Sequence, residues 1–65
     1  MEIDEMLSSH LLTEAQAAAK LSLAKATLAR WRWQGIGPAH IKLGSAVRYA
    51  ESDLDAFIAH GKVSA

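Results

Sequence analysis

The most informative absence in this 65-residue sequence is cysteine, of which it has none. Without thiols the chain can form neither disulfides nor thiolate metal sites, so we expect a cytoplasmic protein. It also lacks any apolar run near the roughly 20 residues that a membrane span needs, and its acidic beginning is unlike a signal peptide. We therefore expect no membrane association and, at this length, a single small domain.

Groups that carry catalysis or hold cofactors are also sparse. The three histidines, His10, His40 and His60, lie far apart and at no metal-ligand spacing, so we interpret them as surface residues. Ser52 and Asp53 lie near His60 but are too scattered along a predicted helix for a catalytic triad. No glycine-rich phosphate loop occurs. The sequence therefore predicts a protein that is not an enzyme and has neither a metal nor a small-molecule cofactor.

Net charge is zero, yet the charges are segregated along the chain. Residues 1–14 carry a charge of −4, residues 15–50 a charge of +6 with no acid at all, and residues 51–65 a charge of −2. A basic centre of this size suits a polyanion as partner. A solvated surface whose charges happen to segregate explains the same pattern equally well.

From residue 11 the pattern predicts two short helices separated by a break of three or four residues. In the first, residues 11–22, Thr13 and Gln16 have the spacing of a capping box. Its apolar face would consist of Leu12, Ala15, Ala18 and Ala19. The second helix covers residues 24–34 and ends at Gly35. This spacing is typical of a helix-turn-helix motif.

The second helix contains the segment TLARWRWQG, in which arginines and tryptophans alternate. At about 100° per residue, Leu28 and Trp31 share the core face, whereas Trp33 lies about 200° from Trp31. Trp31 is therefore predicted to be buried. For Trp33 we favour packing within the chain, with a partner protein or DNA as alternatives. Arg30 shares the outer face, and Arg32 is expected at the edge of the core.

The rest of the chain reads as a hairpin and a helix. In IKLGSAVRY, the alternation predicts two strands with Ile41 and Val47 pointing inward and with Lys42 and Arg48 pointing away from the core. In AESDLDAFIAHG, the helix would bury the apolar face formed by Leu54, Phe57 and Ile58. The expected fold is mainly α with a small β-hairpin: a winged helix-turn-helix with a two-stranded wing and a C-terminal helix. We divide the chain into a flexible arm (1–10), the folded domain (11–60) and a tail (61–65).

Four segments, LLTEAQAA, TLARW, GIGPAHIKLG and VRYAESDLDAFI, together resemble the MerR-like winged helix-turn-helix domains of phage excisionases and AlpA-type regulators. The similarity runs from about Leu11 to Ile58. The chain departs from the family pattern at Ser22, where glycine is frequent, and at Ala24, where a serine or threonine cap is frequent. The wing tip has Ser45 and Ala46 where basic residues are frequent, and Trp33 occupies a position that is usually polar.

The resemblance implies that the second helix enters the major groove of double-stranded DNA and that the wing meets the backbone or minor groove. The implied DNA-binding residues are Lys25, Ala26, Thr27, Arg30, Lys42 and Arg48. It also implies a core that contains Leu28, Trp31, Ile41, Val47, Leu54 and Phe57.

We expect a sequence-specific DNA-binding protein, bacterial or phage-encoded, that is an excisionase or an AlpA-like transcriptional regulator. Its further partners would be an integrase or other copies of itself on adjacent sites, because one small module has limited affinity. Two alternatives stay open. One is the DNA-binding head of a phage packaging (small terminase) protein, and the other is a protein-interaction module that uses Trp33.

Overall fold

A computed structural model describes residues 10–63, which form three helices and three strands. In chain order these are β1 (Leu11–Thr13), α1 (Glu14–Lys20), α2 (Lys25–Gln34), β2 (Ile41–Leu43), β3 (Ala46–Ala50) and α3 (Glu51–His60). Nearly all of the predicted N-terminal arm (1–10) lies outside the described residues. Within them, no helix combines the length and apolarity needed to cross a bilayer.

The sheet has three strands rather than the two that the alternation predicts. Residues 11–13, expected in the first helix, form β1, which pairs antiparallel with β3 and gives the order β1-β3-β2. The capping residue explains the difference: Thr13 is extended, with φ −69° and ψ 166°, so the chain before the helix is already in strand conformation. The Glu51 amide also donates to the His10 carbonyl at 2.8 Å, which continues this pairing. The domain is therefore mixed α and β rather than mainly α.

Helix α1 begins with the predicted capping box. The Gln16 amide donates to Thr13 Oγ1 at 3.1 Å, and the Thr13 amide donates to Gln16 Oε1 at 2.9 Å. The buried residues of this helix are Ala17 and Ala18, whereas Ala15 and Ala19 are exposed, so the predicted apolar face was only partly right. Leu12 lies in β1 and not in α1, so it does not mark the inward face of the helix as the prediction assumed.

One apolar core joins one face of the sheet to the helices. Its buried members are Leu12, Ala17, Ala18, Leu28, Tyr49 and Leu54, with Leu21, Trp31 and Val47 packed against them. Of the predicted core, Leu28 and Leu54 are buried, and Trp31, Val47, Ile41 and Phe57 are half-buried. The prediction for Ile58 was wrong, since it is 48% exposed.

Hairpin register confirms the predicted faces of β3 and corrects those of β2. Lys42 pairs with Val47, and Ile41 pairs with Arg48. Directly opposed residues of an antiparallel pair lie on the same face, so Lys42 shares the core-side face with Val47, and Ile41 lies on the other face with Arg48. The turn explains the error: it contains only Gly44 and Ser45 between the strands, and this length inverts the pattern expected for β2.

Backbone geometry defines the break between α1 and α2 and the end of α2. Ser22 adopts φ +58° where glycine is the usual residue. Gly35 ends α2 in the left-handed conformation, as predicted, and its amide donates to the Arg32 carbonyl. A Cβ on Gly37 would lie 3.1 Å from the Trp31 ring, and Gly37 has φ +87°, so glycine at this position lets the loop after α2 lie closely over this tryptophan.

Candidate nucleic-acid interface

Arg30 and Arg32 of α2 have entirely different surroundings. Arg32 Nε donates to Glu14 Oε2 at 2.9 Å, and its Nη2 donates to Oε1 at 3.3 Å. Arg30 points into solvent and forms no ion pair with any carboxylate of residues 10–63. The geometry therefore uses one arginine to hold the fold and leaves the other available for a ligand.

Glu14 is the centre of a cluster that joins three elements. In addition to Arg32 of α2, the Tyr49 hydroxyl of β3 donates to Glu14 Oε2 at 3.0 Å. The Glu14 side chain is only 11% exposed. Hydrogen bonds from Arg32 lower the pKa of Glu14 against the opposing effect of burial, and the Tyr49 bond lowers it further. Burial, together with the bond to Glu14, raises the pKa of Tyr49 to about 12. The charged carboxylate is thus the form that the fold favours.

Lys20 is the second basic residue of the central segment that is occupied in holding the fold. Its Nζ lies 3.2 Å from Glu51 Oε2 and 3.1 Å from Asp55 Oδ1, so it joins the end of α1 to the acidic first turns of α3. Of the six basic residues in 15–50, four therefore form no ion pair within the described part of the chain. They are Lys25, Arg30, Lys42 and Arg48, all of which the resemblance assigned to DNA.

The predicted residues of α2 lie at its start and along its outer side. Lys25, Ala26 and Arg30 are exposed, and Thr27 is half-buried. The N-cap of α2 is Ala24, whose methyl side chain cannot bond the first amides of the helix, as expected from its residue type. No side chain therefore caps the first turn of α2, and the Thr27 amide donates to the Ala24 carbonyl at 3.0 Å.

The two hairpin residues do not form one surface. Lys42 is exposed on the core-side face of the sheet, whereas Arg48 is half-buried on the opposite face. Arg48 Nη1 also donates to the Val47 carbonyl at 2.8 Å, which restrains its guanidinium beside the strand. The expectation that both residues point away from the core was therefore wrong for Lys42.

The two tryptophans of α2 separate as the helical geometry predicts. Trp31 is half-buried, with its ring centroid 6.1 Å from that of Phe57. Trp33 is 82% exposed, so it does not pack against the wing or any other part of residues 10–63. Packing against the N-terminal arm, the other form of the interpretation favoured from sequence, lies outside the described residues. A large exposed indole beside an exposed arginine is a feature that a ligand or partner would cover.

A shallow cleft lies between α3 and the loop after α2, with a volume of about 290 Å³. It is lined by Gly37, Pro38, Ala39, Asp53, Ala56, Phe57 and His60. It combines a single carboxylate with a single imidazole. Across residues 10–63, no three His, Asp or Glu side chains come together in a way that could hold a metal ion.

A family model described as a helix-turn-helix domain matches residues 11–62. No curated protein gives a significant match. The matched range begins at β1 and ends just after α3, so it contains the two helices, the break at Ser22 and the whole sheet. Domains of this kind have double-stranded DNA as their usual partner. The chain therefore belongs to this family of helix-turn-helix domains.

Proposed function

We propose that this protein binds double-stranded DNA sequence-specifically as a MerR-like winged helix-turn-helix protein, in the role of an excisionase or an AlpA-like regulator. In this proposal α2 enters the major groove and the β2–β3 hairpin is the wing that meets the backbone. The protein acts in the cytoplasm, on the nucleoid, and carries out no catalysis. An integrase, or further copies of the chain on adjacent sites, would complete the complex.

The observation that carries this proposal is the state of Arg30. It is exposed on the second helix of a helix-turn-helix domain, and no carboxylate of residues 10–63 neutralises it. An arginine in this position can donate two hydrogen bonds to a guanine edge or contact a phosphate. Lys25 and Thr27, at the start of α2, would contact phosphate at the N-terminal end of the helix, where the helix dipole favours an anion.

A rigid scaffold behind α2 supports the same proposal. Arg32 extends from the side of α2 that faces α1, and its guanidinium donates to the Glu14 carboxylate. The Tyr49 hydroxyl of β3 donates to the same carboxylate. The orientation of α2 relative to α1 and the sheet is therefore set before any ligand binds. Such preorganisation lowers the entropic cost of placing a helix in a groove.

The register of the hairpin refines the proposed wing contact. Because Lys42 and Arg48 lie on opposite faces of the sheet, a duplex lying against one face would meet only one of them. A hairpin that meets the backbone with its edge and tip would bring both within reach. We therefore propose that the wing contacts DNA edge-on.

The test is binding to duplex DNA at several salt concentrations, with Arg30→Ala compared with Lys62→Ala. Both variants lose one positive charge from an exposed position, but Lys62 lies outside the central basic segment. We expect Arg30→Ala to weaken binding by roughly 5- to 150-fold and Lys62→Ala by less than about threefold. Absence of binding at about 50 mM salt, or binding without a salt dependence, would refute the proposal.

The exposure of Trp33 favours a second candidate function, that of a protein-interaction module. In that case Trp33→Ala would abolish partner binding, and Arg30→Ala would leave it intact. Arg30→Ala therefore separates the two functions, because it should weaken DNA binding under the first proposal and leave partner binding intact under the second.

A further inference from the structure

A second stripe of residues runs along α2, on the side opposite the core. Residues spaced at i, i+3, i+4 and i+7 lie on one face of a helix. On this face they are Ala26, Ala29, Arg30 and Trp33. Trp33, 82% exposed, is its largest member and stands almost opposite the buried Leu28 and half-buried Trp31.

This outer stripe combines apolar and cationic surface and has no acidic group. The whole of α2, KATLARWRWQ, contains no Asp or Glu, and Arg30 has no carboxylate partner within residues 10–63. An apolar protein groove would have to desolvate Arg30 without a counter-charge, which is costly. The major groove of DNA offers acceptors and phosphates for Arg30, and it has one apolar group, the C5-methyl of thymine.

We propose that Trp33 is a specificity-determining residue that contacts thymine methyl groups in the major groove, an inference that rests on the proposed function. The small side chains of Ala26 and Ala29 let the helix approach the bases closely, and the indole of Trp33 then covers a methyl group at the far end of the stripe. The protein would therefore require thymine at a defined position of its site, in addition to whatever Arg30 contacts.

The spacing of the stripe predicts where that thymine lies. Ala26 and Trp33 are seven residues apart, which is about 10.5 Å along a helix or about three base pairs of DNA. Trp33 is three residues beyond Arg30, a rise of about 4.5 Å. The thymine should therefore lie one or two base pairs from the nucleotide that Arg30 contacts.

The experiment begins with a duplex selected by the wild-type protein from a random pool, followed by replacement of each thymine in turn with deoxyuridine. This replacement removes only the C5-methyl and leaves the hydrogen-bonding groups of the base unchanged. We expect one or two positions at which wild-type affinity falls about three- to fivefold, the effect of one buried methyl group. With Trp33→Ala, which should bind the thymine duplex more weakly, the same replacements should change affinity by less than about 1.5-fold.

A matched control is Ile58→Ala, which removes another exposed apolar side chain, on α3, and should retain the full sensitivity to deoxyuridine. If deoxyuridine weakens wild type and Trp33→Ala equally, or weakens neither, the inference is wrong while the DNA-binding function stands. Retention of thymine sensitivity by Trp33→Ala together with loss of binding to a partner protein would assign Trp33 to that partner instead. If no duplex shows salt-dependent binding, the proposed function itself fails.

Discussion

The two sides of α2 show how one short helix can serve both the fold and a ligand. On its inner side, Trp31 packs beside Phe57, and Arg32 is bound by Glu14. On its outer side, Arg30 and Trp33 repeat the same two residue types and are left in solvent. Residue type therefore does not decide the role here. The role of each side chain depends on whether its position on the helix directs it toward the core and Glu14 or away from them.

The largest expected difference between the two sides is in stability, upon truncation of each tryptophan. Trp31→Ala removes a half-buried ring that contacts the core, so we expect a loss of about 2–3 kcal/mol in the free energy of unfolding. Trp33→Ala removes an exposed ring and should change it by less than about 0.5 kcal/mol. Urea unfolding followed by circular dichroism measures both without relying on tryptophan fluorescence. Equal losses in the two variants would contradict the separation described here.

A smaller loss of stability is expected when the inner side of α2 loses the ion pair between Arg32 and Glu14. Glu14→Gln removes the charge that holds Arg32, and we expect Tm at pH 7 to fall by roughly 5–10 °C. The matched substitution Glu51→Gln, at a more exposed carboxylate that pairs with Lys20, should lower Tm by less than about 3 °C.

The pH dependence of this difference has a defined sign. The pKa of Glu14 is lowered from an ordinary value of 4.5, so its carboxylate stabilises the fold above that pH. This stabilisation is lost as pH falls below 4.5 toward the pKa of the folded state, because the proton then binds the unfolded chain more readily. Wild type and Glu14→Gln should therefore converge in Tm in acid, and a difference that stays constant down to pH 2 would rule out Glu14 as its source.

The smallest expected effect concerns the start of α2, which both sides of the helix share. Ala24 is the N-cap and offers no side-chain acceptor, so Ala24→Ser should stabilise the domain by about 1 kcal/mol. Ala50, the N-cap of α3, is the control: it is only 5% exposed, and Ala50→Ser should gain less because its hydroxyl would be placed in a buried position. If Ala24→Ser shows no gain in thermal unfolding, the first turn of α2 is already satisfied by other groups.

Local features of this chain were predictable because their causes lie within a few residues. The capping box of Thr13 and Gln16 and the end of α2 at Gly35 were confirmed, as were the directions of Trp31 and Trp33. Each depends on a spacing of four residues or fewer, at which helical geometry alone decides the outcome.

Features that depend on distant partners were missed. The cluster of Glu14, Arg32 and Tyr49 joins residues 18 and 35 positions apart, and nothing in the local pattern indicates which arginine Glu14 binds. The strand at residues 11–13 exists because β3 is beside it. The face of Lys42 depends on the length of a turn, and a change of one residue there reverses every side chain of a strand.

By itself, the sequence determined that α1 and α2 form, that the chain breaks between them near Ser22, and that one tryptophan of α2 points inward and the other outward. These follow from the period of the helix and from the chemistry of its ends, which act over short distances. Only the tertiary structure decided that Arg32 belongs to the fold while Arg30 is available to a ligand. The reason is that a carboxylate 18 residues earlier lies within 2.9 Å of one guanidinium, and none of residues 10–63 pairs with the other.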